Sequence, residues 1–171
     1  MDKLKFKKLP YVEVDENGVA ISKESNGVLP VKAHPTDAGY DLVCTRITQE
    51  LDEAGKLLLV YHTDVAVELP VGTVGLLFMR GSVTKYSITL ANAVGVIDEP
   101  YRGELMMKYK VTTDALPRIY QVGDRVGQLV IVPYYNLEPE FVDELSSSDR
   151  GEEGFGSTNK NINETVWYNR W

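Results

Sequence analysis

With one cysteine in 171 residues, the chain can close no disulfide of its own. Its fold must rest on buried apolar area, and a reducing compartment suits it. Histidine is nearly as scarce. His34 and His62 stand apart without metal-ligand spacing, which argues against a zinc site. No apolar run approaches the length of a membrane span, and the opening MDKLKFKKLPYVEV carries charges without the apolar centre of a signal peptide. Positive charge is short as well: 18 Lys and Arg against 25 Asp and Glu leave a formal charge of −7. That field disfavours duplex nucleic acid. A small anion remains admissible, because a local cluster of arginine and amide N–H groups can outweigh the global sign. Long amphipathic helices are missing too, no window holding more than about two turns of one. These absences point to a cytoplasmic globular protein with neither a DNA-duplex nor a membrane partner.

What is present reads as strands. Val65, Val67 and Leu69 alternate with Ala66 and Glu68 before Pro70 and Gly72 mark a turn. Apolar runs at 57–61, 75–79 and 129–132 read as buried strands, the last ending at Pro133. Residues 82–86 allow at most one short helical turn. Short strands with Gly and Pro between them predict an all-β sandwich or barrel. Two stretches are irregular. Residues 13–27 are polar and glycine-bearing, as in a hairpin or exposed loop, and from Glu138 the chain turns acidic and serine-rich, as in a mobile arm. The tail from Asn159 is polar yet carries Val166, Trp167, Tyr168 and Trp171, an aromatic density that suggests docking.

Several short stretches could carry chemistry, and each also has a plainer meaning. Arg80-Gly81-Ser82 offers a fixed cation and close backbone N–H groups, which suit phosphate oxygens, or it is simply a strand ending in a turn. Gly95-Val96-Ile97-Asp98 puts a carboxylate at the end of an apolar run, where it could deprotonate a water or merely cap a turn. Tyr101-Arg102-Gly103-Glu104 could be a surface turn. Asp41 could be a turn residue after Gly39. Arg150-Gly-Glu-Glu-Gly-Phe-Gly-Ser-Thr158 combines a cation, glycine-supplied amides and two hydroxyls, as a triphosphate needs, with Phe155 able to stack on a planar base.

Taken together, the stretches resemble the five motifs of the trimeric dUTPases. The first is Asp37-Ala-Gly-Tyr-Asp-Leu42, the second Arg80-Gly81-Ser82. The third is the run Leu90, Asn92, Gly95, Ile97, Asp98, Tyr101, Arg102 and Gly103 with unbroken spacing. The fourth is Gly123-Asp-Arg-Val-Gly-Gln-Leu129, the fifth 150–158. One motif could be chance; five in register are specific. The likeness implies an all-β, distorted jelly-roll-like barrel over residues 30–137. An arm at 138–158 would be exchanged within a homotrimer, with extensions at 1–29 and 159–171. It also implies Mg²⁺-dependent hydrolysis of dUTP to dUMP and pyrophosphate, which keeps uracil out of DNA and supplies dUMP for dTMP synthesis.

The resemblance also assigns roles. Asp98 would be the general base that aims a water at the α-phosphorus. Tyr101 would pack on the deoxyribose and leave no room for a 2′-hydroxyl. Asn92 would read the uracil edge, with Gly95, Val96, Ile97 and backbone near Met106 lining its place. Arg80, the amides of Gly81 and Ser82, and Gln128 would hold the phosphate chain. Asp41 would help hold the waters of Mg²⁺, an ion that takes few direct protein ligands. Phe155 would cover the uracil in a neighbouring subunit's site while Arg150 meets the γ-phosphate, with Gly156, Ser157 and Thr158 completing the closure.

The sequence departs from the family pattern in places. Gly81 stands where the family carries Ser, Glu153 where it commonly has glycine, and Asn159 where a final glycine is usual. Both extensions lie outside the pattern and could hold a trimer clasp or a partner site. Two alternatives stay open: a dCTP deaminase-type enzyme of the same superfamily, or a nucleotide-sensing regulatory or scaffold protein. Cys44 reads as core.

Overall fold

Short apolar runs cut by glycine and proline become strands in the computed structural model, which describes residues 3–152. In chain order these are β1 (Lys5–Lys8), β2 (Tyr11–Val14), β3 (Ala20–Lys23), β4 (Gly39–Val43), β5 (Arg46–Leu51) and β6 (Leu57–His62). Then follow β7 (Val65–Glu68), β8 (Thr73–Phe78), β9 (Ile88–Leu90), β10 (Gly95–Ile97), β11 (Met107–Val111) and β12 (Arg125–Pro133). A 3₁₀ turn, Gly81–Lys85, is the only helical element among the described residues. The chain is all-β, as its punctuation predicts.

Two four-stranded antiparallel sheets carry the fold, one ordered β10-β8-β12-β4 and the other β5-β6-β11-β9. Leu77 and Leu129 of the first sheet share one buried cluster with Leu59, Tyr61, Met107 and Tyr109 of the second. Gly127 shows how closely the sheets approach. A Cβ there would overlap the Met107 thioether, so only glycine lets β12 take that sulfur. Tyr61, Tyr109 and Tyr120 meet edge to face with ring centroids 5.4–6.1 Å apart, and the Tyr109 hydroxyl donates to the Val126 carbonyl at 2.6 Å. Burying each such side chain contributes roughly 2 kcal/mol, which suits a core built without cross-links.

The N-terminal segment is woven into this unit rather than left outside it. β1 pairs with β7, and Leu4 and Phe6 pack against the core. The polar stretch that follows is the β2–β3 hairpin. Its turn is held by Asp15, whose Oδ1 accepts the amides of Asn17 and Val19, while Gly18 takes a φ of +80°. The β5–β6 turn repeats the device: Asp52 accepts the amides of Ala54 and Lys56, and Gly55 has a φ of +74°. Two Asp-x-x-Gly turns thus fix two hairpins by one mechanism.

Residues from Leu137 onward form a second unit. Its described part, to Glu152, contains no strand or helix, exposes Leu137, Phe141 and Leu145, and makes one turn in which the Gly151 amide donates to the Ser148 carbonyl at 3.1 Å.

Candidate active site

β9 is the edge of one sheet and β10 the edge of the other, and the chain crosses between them at residues 91–94. Ala93 takes a left-handed φ of +60° there, an unusual conformation for a side chain with a Cβ, and the Val94 amide donates to the Asn92 carbonyl at 2.6 Å. The tight crossing leaves Asn92 exposed on the rim of a pocket of about 280 Å³. Gly95, Val96, Ile97, Tyr101 and Met106 line it, with buried Leu77 and Met107 beneath. Gly95 sits close under Leu77, where an added Cβ would crowd the Leu77 Cβ at 3.0 Å. A largely apolar slot, with Asn92 at its rim and Glu104 and Lys108 also in its lining, suits a planar base that must be read by hydrogen bonds along one edge.

Asp98 follows β10 directly and is exposed. It opens a turn closed by the Tyr101 amide, which donates to the Asp98 carbonyl at 3.0 Å, with Glu99 and Pro100 between. Glu99 ties the turn down by accepting the Gly72 amide at 2.8 Å. The Arg102 guanidinium donates to the carbonyls of Glu99 and Tyr101 at 2.6 and 2.9 Å, so it braces the loop. The Tyr101 hydroxyl donates to the Glu104 carbonyl at 3.0 Å, and its ring lies where a Cβ on residue 103 would stand. Gly103 is there to admit that ring.

Glu104 itself escaped sequence reasoning. Its carboxylate accepts the amides of Thr63 (3.1 Å) and Asp64 (2.8 Å), faces His62 Nδ1 at 3.0 Å and pairs with Arg46 at 3.3 Å. Burial pushes its pKa up, yet the His62 hydrogen bond, the Asp64 amide and the His62 and Arg46 charges together hold it below the ordinary glutamate value. The partners lie about forty to sixty residues away in sequence, so no local motif announces them.

A second pocket, of about 360 Å³, is lined by Asp37, Gly39, Asp41, Arg80, Gly81, Ser82 and Gln128. Asp41 is no turn residue. It lies in β4, nearly buried, with Arg80 Nε at 2.8 Å from one oxygen and Arg125 Nη1 at 2.9 Å from the other. This pairing explains how an aspartate tolerates burial, and Arg125 is a member of the site that the sequence did not suggest. The contact fixes one edge of the Arg80 guanidinium, leaving the remaining N–H groups for an anion. The Gln128 side chain donates to the Met79 carbonyl at 3.1 Å, which orients its amide. Gly81 has no atom within 4 Å of where a Cβ would stand, so the absent serine leaves open space rather than a packed substitute. The Ser82 hydroxyl is buried toward the Tyr120 phenol without a well-formed hydrogen bond. Its backbone amide is what Ser82 can offer.

The two pockets have no lining residue in common, and Asp98 belongs to neither. It lines a third recess with Val74, Glu99, Pro100 and Tyr134. One chain therefore groups the expected base-reading residues in one place and the expected phosphate-holding residues in another. Arg150 stands in the turn of the second unit, while Phe155, Gly156, Ser157 and Thr158 lie outside the described residues. Among the described residues no group of three or more His, Cys, Asp or Glu side chains could hold a metal ion. The donors available at the second pocket, Asp37 and Asp41, are hard oxygens, which fit a Mg²⁺ carried largely by phosphates and water. Cys44 is buried in the core, where burial pushes its thiol up to about 12, far from a nucleophile's range.

The family model for dUTPase matches residues 25–159. The deoxyuridine 5′-triphosphate nucleotidohydrolase of Desulfitobacterium hafniense is 39% identical over 141 residues, covering 81% of this chain and 91% of its own. That of Corynebacterium glutamicum is 39% identical over 133 residues, covering 77% and 87%. Among solved structures, a variant of the dUTPase of Staphylococcus bacteriophage 80alpha with dUpNHpp superposes with a TM-score of 0.69 at 28% identity, over 92% of this chain and 99% of that one. A variant dUTPase of phage phi11 of S. aureus, described as coordinating a structural Mg(II) ion, gives a TM-score of 0.61 at 27% identity over 84% and 98%.

Proposed function

The chain belongs to the dUTPase family and is a dUTP diphosphatase, and from that premise we propose how its residues divide the work. Uracil enters the apolar slot, where Asn92 and the backbone beside Met106 pair with its edge. Cytosine's amino group would meet the wrong partner there, at a cost of kilocalories rather than tenths. Tyr101 stands against the deoxyribose and excludes a ribose 2′-hydroxyl. Arg80, the amides of Gly81 and Ser82, and Gln128 hold the phosphate chain. Asp98 accepts a proton from a water whose oxygen attacks the α-phosphorus. The bond from that phosphorus to the bridging oxygen breaks, and pyrophosphate leaves. Negative charge develops on the phosphate oxygens, where a fixed guanidinium and fixed amides stabilise it most. Mg²⁺, held through water near Asp41 and through the substrate, would neutralise part of the triphosphate charge.

The carrying observation is the division of pockets within one chain. A single nucleotide needs base reader, carboxylate and phosphate cradle around it at once, so a homotrimer with shared sites is the arrangement that supplies them. Phe155, Gly156, Ser157 and Thr158, with Arg150, would then close over the bound nucleotide from another subunit. A cytoplasmic location fits the nucleotide substrate and a protein with one unpaired cysteine.

The test is a panel of deoxy- and ribonucleoside triphosphates scored for pyrophosphate with and without Mg²⁺, run on the wild type and on Asp98→Asn. We expect dUTP alone to be turned over efficiently, and the variant to bind dUTP while losing roughly a thousandfold or more in kcat. Near-normal kcat in Asp98→Asn would remove that residue from its role. Equal turnover of UTP would remove Tyr101 from its own.

A further inference from the structure

We infer that Glu104, which shares the pocket lining with Tyr101, is a positioning residue for substrate selection that holds Tyr101 in place. The inference rests on Tyr101 being the side chain that faces the sugar. Tyr101 is moderately exposed, and its hydroxyl has a single anchor, the Glu104 carbonyl at 3.0 Å. That carbonyl belongs to a residue whose side chain is immobilised by four contacts on its far side. The Thr63 and Asp64 amides reach one carboxylate oxygen, and His62 and Arg46 reach the other. His62 is set in turn by the Thr48 hydroxyl, 2.9 Å from its Nε2. Arg46 is set by the Asp64 carboxylate at 3.3 Å and by the Tyr11 ring beneath its guanidinium, 4.8 Å from the centroid.

The turn that supplies the two amides is itself unusual. Asp64 is buried and takes a φ of +53°, a left-handed conformation that is uncommon outside glycine although aspartate adopts it more readily than most residues. Glu104 helps hold the turn in that shape, because it accepts the amides of both Thr63 and Asp64. Gly103, between Glu104 and Tyr101, carries no Cβ and so transmits no steric correction of its own. The line of positioning therefore runs from the His62–Arg46–Asp64 cluster through the Glu104 backbone to the Tyr101 hydroxyl. None of His62, Arg46 and Asp64 lines the pocket. Its removal should alter which sugar is accepted more than how fast an accepted substrate is cleaved.

The experiment measures kcat/KM for dUTP and for UTP in the wild type, Tyr101→Phe, Tyr101→Ala, Glu104→Ala, Glu104→Gln and the double variant Tyr101→Phe/Glu104→Ala, with melting temperatures alongside. Losing one anchoring hydrogen bond should lower the dUTP-to-UTP ratio about five- to tenfold in Tyr101→Phe. Glu104→Ala should lower it by a similar factor, through gained UTP turnover and raised KM for dUTP with kcat for dUTP little changed. Glu104→Gln keeps an oxygen for the two amides and should recover most of the ratio. The double variant should be no worse than either single one, since both break the same link. A purely structural role would lower both nucleotides alike and leave the ratio untouched, which would overturn the inference. Additive losses in the double variant would overturn it as well. If Glu104→Ala does not fold, an unchanged ratio in Tyr101→Phe decides against the link, because the hydroxyl anchor is then irrelevant. The reading of Tyr101 itself fails separately, if the wild type does not discriminate or if Tyr101→Ala leaves the ratio unchanged. A ratio that collapses in Tyr101→Ala but survives Glu104→Ala defeats only the role of Glu104.

Discussion

A Cβ added at Gly39 would overlap the side chain of Gln128, whose amide donates to the Met79 carbonyl. Gly39 and Gln128 are neighbours across β4 and β12, where Gln128 registers opposite Asp41. The glycine thus decides where a phosphate-holding side chain can stand, although it has no side chain to offer a ligand. Gly39→Ala should push Gln128 off its carbonyl and raise KM for dUTP about tenfold, with a smaller change in kcat. Initial-rate kinetics check this, and an unchanged KM would mean that Gln128 does not bind the phosphates. Asp41 belongs to the same region and illustrates a second use of a residue. With a guanidinium at each oxygen, it orients Arg80 as well as presenting a carboxylate.

At the scale of elements, the legible parts were those whose signal is local. The runs at 57–61 and 129–132 lie within β6 and β12, that at 75–79 overlaps β8 up to Phe78, and Val65 to Glu68 form β7. The helical turn expected at 82–86 is the 3₁₀ turn at Gly81–Lys85. β4 was harder to see, because its Gly39-Tyr-Asp core looks polar until Arg80 and Arg125 arrive from 39 and 84 residues away. Glu104 was hidden for the same reason, its ionic partners being brought to it by β5 and β6. Sequence spacing carries the chemistry of a contiguous motif; it carries little about pairings that only the sheet order creates. The arm is a further element with a separable role. Its described residues beyond Leu145 are exposed and contribute no strand, so losing them should cost little stability. Truncation after Leu145 should leave the melting temperature nearly unchanged and reduce dUTP turnover by orders of magnitude, roughly a hundredfold or more. Full activity in the truncated protein would show that residues 146–171 do not close the site.

For the whole molecule, the decisive feature is that Asn92, Tyr101 and Met106 line one pocket, Arg80 and Gln128 another, and Asp98 a third recess. Net charge adds to the picture. A chain of −7 must concentrate its cations to hold a polyanion, and the Arg80–Asp41–Arg125 cluster does so beside the second pocket. If subunits complete one another, Asp98 from one chain serves the nucleotide cradled by Arg80 of the next. The most direct measurement is complementation: Asp98→Asn and Arg80→Ala, each inactive alone, are unfolded, mixed in equal amounts, refolded together and assayed for dUTP hydrolysis. Random assembly of a cyclic trimer should restore about a quarter of wild-type activity, because that share of sites receives both intact residues. Mixed trimers confirmed by mass that remain as inactive as the parents would contradict a shared site.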